Sequence, residues 1–382
     1  MEPNMLGAYG PWAASLIGEG PARLSFRNPR FAPEGLDAWR REARQRTADL
    51  MLEPDAGGIP HAEVQHQFEY DGLEVEHLRW QLPYGPTTEA VVLKPLGASG
   101  RLPAVLALHD HGGNKSFGWR KVAQISDDLH PIMRDHRDEY YGGVSWANEL
   151  ARRGYLVLVH DAFAFASRRI RLADVPARIR DGLEEVEPES VEEVRAYNRF
   201  ASGHEHIVSK SLFCAGTTWP GVFLAEDRKA LDYLSSRPDV DPDRIGCGGL
   251  SGGGLRTCYL AGTDDRISCA CCVGMMSTWR DYLLNKTFTH TWMIYVPGLP
   301  NDLDYPEVLG LRVPRPTLVQ YDEEDFLFTL PEMRRADSML GEVFAKAGAE
   351  DRYRGTFYPG PHKFDLPMQA EAFSWFDRWL KG

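Results

Sequence analysis

A serine, a pair of acidic residues and a histidine follow one another in an order that suits nucleophilic acyl transfer. The serine is Ser251, within Gly249-Leu250-Ser251-Gly252-Gly253. A serine hydroxyl is a weak nucleophile at neutral pH, so it needs a base, and the base needs a carboxylate to hold its tautomer. His362, within Gly360-Pro361-His362-Lys363-Phe364, is the candidate base. The candidate acid lies in Asp322-Glu323-Glu324-Asp325. Asp325 is preferred over Asp322 because a triad acid usually sits a short loop beyond its strand. The tetrahedral intermediate also needs N–H donors aimed at its oxyanion. Gly252, next after the serine, and His111, within His109-Asp110-His111-Gly112-Gly113, are expected to supply them. Gly112 is the alternative if the register differs by one.

Each of these groups needs an element to place it. Residues 244–248 read as a short buried strand and 254–260 as the start of a helix. A serine on the tight turn between them has its hydroxyl pushed outward, and the flanking glycines remove side chains that would collide. The helix start adds N–H groups and a partial positive charge. An apolar run over 316–321 reads as the strand that carries the acid, 355–359 as the last strand, and 366–380 as a C-terminal helix. Residues 102–108 read as a central strand leading into the His111 loop. Three short strands are expected over 64–93, with Asp71-Gly72 as a hairpin turn. Another strand, 155–160, follows a helix ending near Gly154. This alternation predicts a mostly parallel central sheet with helices on both faces, and sites in such sheets lie at the carboxyl ends of the strands.

Two stretches fall outside the alternation. Residues 1–60 read as an N-terminal arm with a helix over 34–52, broken by Pro54, Gly57, Gly58 and Pro60. Packing on the body, lining the pocket and contacting another subunit are all open to it. The catalytic domain is expected over 61–382. Within it, 162–220 is too long for a simple connection and reads as a lid-like insertion with a helix over 191–214. Its acidic run (Glu184, Glu185, Glu187, Glu189, Glu192, Glu193) reads as a solvated face.

With these motifs in place, the chain resembles a serine α/β-hydrolase of the dienelactone hydrolase and acetyl xylan esterase type, over roughly residues 60–382. The resemblance rests on His-x-His-Gly-Gly after a strand and on Asp239-Val240-Asp241-Pro242-Asp243-Arg244-Ile245 leading into Gly-Leu-Ser-Gly-Gly. It rests also on Pro314-Arg315-Pro316 before the acid strand and on Gly-Pro-His-Lys-Phe near the end. The order serine, acid, histidine is that of α/β-hydrolases. Asp110 stands where many relatives have glycine, and Ser251 replaces the cysteine nucleophile of dienelactone hydrolases proper. The resemblance implies the α/β-hydrolase fold and cleavage of carboxylic esters with small acyl groups, such as acetyl on a sugar. The same triad could instead cleave an amide, a peptide or a carbon–carbon bond, or the fold could bind a ligand without turnover.

Composition narrows the partners. The chain has 382 residues, 43% of them hydrophobic, enough for a large core. Its net charge of −12 disfavours nucleic acid and anionic membranes as partners. No run of about 18 apolar residues suggests a membrane span, and the first residues lack a basic segment followed by an apolar one. A cytoplasmic protein acting on a small-molecule ester is expected, with homo-oligomerisation left open. The six cysteines read as free, mostly buried thiols. No metal or organic cofactor is called for: His109-Asp110-His111 lacks a third ligand, and His204 and His206 would diverge on a helix. His109 reads as structural. Trp119, Trp219, Trp279 and Trp292 read as core residues, with one or two available to a pocket.

Overall fold

A computed structural model describes residues 3–180, 182–185 and 190–382. Nine strands form one sheet in the order β1-β2-β3-β5-β4-β6-β7-β8-β9. They are β1 (Glu63–Tyr70), β2 (Leu73–Trp80), β3 (Thr88–Pro95), β4 (Leu102–Ala107), β5 (Leu156–His160), β6 (Val240–Leu250), β7 (Ile267–Val273), β8 (Thr317–Asp322) and β9 (Tyr353–Tyr358). The first three are antiparallel, and β3 joins β5 antiparallel. From β5 across to β9 every pairing is parallel. The β1–β2 turn falls on Asp71-Gly72, both with positive φ (48° and 75°), the backbone that a two-residue hairpin with matching twist requires.

The helices are α1 (Gly10–Ile17), α2 (Leu36–Met51), α3 (Pro131–Tyr141), α4 (Trp146–Arg152), α5 (Val191–Cys214), α6 (Trp219–Ser236), α7 (Gly252–Thr263), α8 (Trp279–Asp281), α9 (Tyr305–Gly310), α10 (Leu330–Lys346) and α11 (Leu366–Phe376). Strand side chains alternate between faces, and the core divides accordingly. Ala104, Leu106 and Leu108 join one cluster, with residues of α2, α6, α7, α9 and α10, while Val105 and Ala107 join the other, with α4 and α11. Cys272 lies in the first cluster and Cys269 and Cys271 in the second. The strand is thus apolar on both sides because both sides are covered. Among the described residues, no helix is long and apolar enough to cross a membrane.

The N-terminal arm packs into the first cluster through Phe26, Trp39, Ala43 and Met51. The Trp39 indole donates to the Leu24 carbonyl at 2.6 Å. Helix α1 was not anticipated; its sequence starts with Gly10-Pro11 and spans only two turns, too short for a clear period. In the long insertion, a capping box at Ser190 and Glu193 starts α5, so two of the acidic residues there, Glu192 and Glu193, occupy the first turn, where the helix dipole favours negative charge. Glu185 pairs with Arg169 at 3.0 Å. Glu187 and Glu189 lie outside the described residues. Arg168 and Glu226, both buried, form an ion pair at 2.5 Å that ties the insertion to α6.

Candidate active site

The parallel strands β4, β6, β7 and β8 end on one side, and the candidate residues gather there. Ser251 sits between β6 and α7 with φ 57° and ψ −115°. A side chain in that region is strained, at a cost of about 1–3 kcal/mol. The turn is held on both sides: the Ser251 N–H donates to the Val273 carbonyl at 2.9 Å, and its carbonyl accepts from Leu255 at 2.8 Å. A Cβ on Gly249 or on Gly253 would lie 2.1 Å from the Leu108 carbonyl oxygen. Glycine there lets the turn press against the end of β4. The strain predicts that Ser251→Gly gains about 1 kcal/mol of stability over Ser251→Ala. Guanidinium denaturation of the two variants checks this; equal midpoints would mean that the turn stores no strain.

Gly252 opens α7, and the first N–H groups of a helix have no acceptor within it. A Cβ on Gly252 would lie 2.8 Å from the His111 backbone nitrogen. The two candidate oxyanion donors are therefore neighbours, and the space between them exists because residue 252 has no side chain.

The loops after β8 and β9, which carry the candidate acid and base, are tied to each other. The Glu324 N–H donates to the Gly360 carbonyl at 3.1 Å, and that of Glu323 to Tyr358 at 2.8 Å. Across this tie, His362 Nδ1 lies 2.6 Å from Asp325 Oδ2. The other Asp325 oxygen accepts from the Leu327 N–H at 2.8 Å. Burial lowers the His362 pKa, but the Asp325 hydrogen bond and charge, helped by Asp322 and Asp110, outweigh it and leave it raised. Asp322, the alternative acid, accepts instead from the Lys363 N–H at 3.0 Å. Burial pushes its pKa up to about 7 against that bond and the His362 charge. Asp322, Asp325 and His362 hold ligand-type atoms within 4.8 Å of one another, the one such group among the described residues. His362 Nδ1, both Asp325 oxygens and Asp322 Oδ2 are already engaged, as above, and of the four carboxylate oxygens only Asp322 Oδ1 has no partner among the described residues. The arrangement suits an imidazole oriented by carboxylate better than an open metal cradle.

The loop 109–113 is built on polar contacts that the motif did not disclose. His109 Nδ1 meets the Asp110 carbonyl at 2.9 Å and its Nε2 accepts from Ala162 at 3.2 Å. Burial holds its pKa well below the usual value, so it serves as a neutral brace. The Asp110 carboxylate accepts from the Tyr141 hydroxyl at 2.5 Å and meets His136 Nε2 at 3.1 Å. Burial alone would raise its pKa, but His136, Lys121 and Tyr141 hold it well below the ordinary range. Thus Asp110 is held as an anion between His136, Lys121 and Tyr141. His111 Nδ1 accepts from the Gly113 N–H at 3.1 Å, so the ring proton lies on Nε2, 2.9 Å from Glu205 Oε1. Burial, then Lys115, lowers the His111 pKa, which keeps that ring neutral. Glu205 also pairs with Lys115 and accepts from the Trp292 N–H at 3.2 Å. The spacing of His204-Glu205-His206 pointed to no site. Its central residue nonetheless reaches the loop, because α5 presents that face inward.

Ser251, Gly252, His111, Gly112 and His362 all line one cavity of about 300 Å³. Among the described residues no hydrogen bond joins the Ser251 hydroxyl to His362; catalytic bonds often tighten only when substrate is bound. Tyr140 flanks the His362 ring edge-on, with centroids 6.2 Å apart. Further wall comes from Leu255, Met275, Thr289, His290, Thr291, Met293, Ile294 and Leu327. No described residue of 162–220 lines this cavity; the stretch expected as a lid borders the loop 109–113 through Glu205 instead. None of the four singled-out tryptophans lines it either. Trp219 and Trp279 are buried in the first core cluster, and Trp119 lines a larger polar cavity of about 510 Å³ with Arg79 and Arg120. No spacing signal marked 289–294, whose turns follow the chain's path rather than a motif.

A model of the prolyl oligopeptidase family matches residues 219–311, which include the Ser251 turn. The chain is 29% identical over 309 residues to YtaP of Bacillus subtilis (strain 168), a protein named as a hydrolase; the match covers 80% of this chain and 88% of that one. Among solved structures it is similar to a Bacteroides fragilis protein named as an acetyl xylan esterase. There the TM-score is 0.67 and the identity 18%, over 93% of this chain and 83% of that one. It is similar also to a glucuronoyl esterase from Solibacter usitatus, with TM-score 0.62 and 15% identity over 94% and 97% of the two chains. The fold is that of an α/β-hydrolase.

Proposed function

We propose that this α/β-hydrolase is a serine hydrolase of carboxylic esters with short acyl groups. The observation that carries the reading is one cavity holding a serine in a strained strand-to-helix turn and a histidine bonded to a buried aspartate. In this reading Ser251 Oγ attacks the ester carbonyl carbon while His362 Nε2 takes its proton. Asp325 fixes the histidine tautomer and stabilises the imidazolium. The His111 and Gly252 N–H groups take up the negative charge on the carbonyl oxygen. His362 then passes its proton to the departing alcohol, leaving the acyl group on Ser251. A water molecule, deprotonated by His362, attacks the acyl-enzyme and releases the acid.

The acyl side follows from the wall. A cavity of about 300 Å³ that includes Leu250, Leu255, Met293 and Ile294 suits acetyl to butyryl better than long chains. The acetyl xylan and glucuronoyl esterases among the similar structures favour an ester on a sugar. The partner is a small molecule; the net charge of −12 repels nucleic acid and anionic lipid. We place the protein in the cytoplasm, where its six free thiols would stay reduced. The test is a p-nitrophenyl ester series from acetate to octanoate. Turnover per enzyme is expected to be highest at acetate or butyrate; a maximum at octanoate would overturn the short-acyl reading. The match to the prolyl oligopeptidase family favours an amide as the second reading. It would prevail if p-nitroanilides were cleaved faster than the matching esters.

A further inference from the structure

Behind the loop 109–113 lies an ammonium group that the chemistry above does not use. Lys121 closes a short helical turn, Trp119–Lys121, and is 0% exposed. Its Nζ donates to two consecutive backbone carbonyls, those of Asp110 and His111, each at 2.8 Å. A trans peptide is planar, with its C=O and N–H on opposite sides. The Asp110 carbonyl shares its peptide with the His111 N–H, and the His111 carbonyl shares its peptide with the Gly112 N–H. These are the two groups that could serve as the first oxyanion donor. One cation gathering both carbonyls turns both N–H groups the other way. Asp110, His111 and Gly112 all line the Ser251 cavity, and Lys121 does not.

Resting on the reading of Ser251 as nucleophile, we propose that Lys121 is a positioning residue of the oxyanion hole, holding and polarising the peptides of His111 and Gly112 from behind. Drawing electron density towards each carbonyl oxygen makes the N–H on the same peptide a stronger donor. The ammonium also sets a positive charge across one peptide, with a hydrogen bond at each end, from where negative charge develops, in a site with little water to screen it. The surroundings fit a cation rather than a neutral strut. Asp110 Oδ1 lies 3.7 Å away, and the Phe165 ring centroid lies 4.7 Å from Nζ. The neighbouring Lys115 is matched by Glu205, so the Asp110 charge is left to Lys121 and His136.

The test compares Lys121→Met and Lys121→Gln with wild type, using p-nitrophenyl acetate turnover and inhibition by a trifluoromethyl ketone. The ketone is attacked by the serine and leaves an alkoxide in the oxyanion hole. Thermal melts identify folded variants. Lys121→Gln keeps N–H donors without the charge and can be read if the methionine variant does not fold. A folded variant is expected to lose roughly 30-fold in kcat, less than removal of a donor outright. KM should stay within about twofold, and ketone affinity should fall by about the same factor as kcat. A folded variant with wild-type kcat, or one whose loss lies in KM with ketone affinity intact, overturns the proposal. Failure of the underlying reading looks different: Ser251 would not be labelled by a fluorophosphonate in the wild-type protein, whatever the lysine variants do.

Discussion

Ser251→Ala is expected to lower kcat for ester hydrolysis by roughly 10⁶-fold, the scale seen when a triad nucleophile is removed. In the proposed mechanism the triad acts as a unit: without Oγ there is nothing for His362 to deprotonate and no acyl-enzyme to form. Substrate affinity should change little, since the apolar wall of Leu250, Leu255, Met293 and Ile294 is untouched. The residual rate should come from the His111 and Gly252 donors acting on attack by water. A steady-state assay with p-nitrophenyl acetate decides the matter. More than about one per cent of wild-type kcat in a preparation free of wild-type protein would place the nucleophile elsewhere. The Ser251→Gly variant should be equally inactive, so the stability it gains is separable from the activity it loses.

Asp325→Asn should cost about 10⁴-fold in kcat, because an amide facing His362 Nδ1 favours the wrong tautomer. Asp322→Asn should cost less than about tenfold. Asp322 is bonded to the Lys363 N–H and not to the imidazole, and burial raises its pKa to about 7. An amide there can keep accepting from the Lys363 N–H without disturbing the tautomer of the imidazole. Near-equal losses for the two variants would mean that the carboxylates share the role. The pH profile adds an independent sign. His362 must be neutral to accept the serine proton, and its pKa is raised because Asp325, Asp322 and Asp110 outweigh burial. The acid limb of kcat/KM should thus lie above the ordinary histidine value of about 6.5. Replacing Asp325 by asparagine removes the main raising contribution and leaves burial, so the limb should move to lower pH in the residual activity. A limb that stays in place would detach Asp325 from His362.

The elements that could be read in advance were those whose signal is local. The turn at Ser251 was legible because glycines at 249, 252 and 253 have a single steric explanation, contact with the backbone of Leu108 and His111. The strands over 102–108 and 316–321 were legible as apolar runs because both faces of the sheet are covered. The acid and base loops could be placed because each follows a strand that ends on the same side. Helix α1 and the wall over 289–294 were not legible, since short turns leave no period. The length of 162–220 predicts an insertion but carries no signal of what it covers. In the folded chain that stretch meets the loop 109–113 through Glu205, and no described residue of it lines the cavity.

Residue order along the chain was enough to settle the fold class and to name the serine, histidine and acidic cluster, because hydrophobic period and turn chemistry are properties of neighbours in sequence. The rest was decided only in three dimensions. The choice between Asp322 and Asp325 turns on which carboxylate faces an imidazole 37 residues away. The part played by Lys121 depends on two carbonyls 10 and 11 residues earlier. The fixed charge on Asp110 is set by His136 and Tyr141, which α3 brings in from across the loop. Distance and burial, on which charge and hydrogen bonding depend, come into being only when the chain closes on itself.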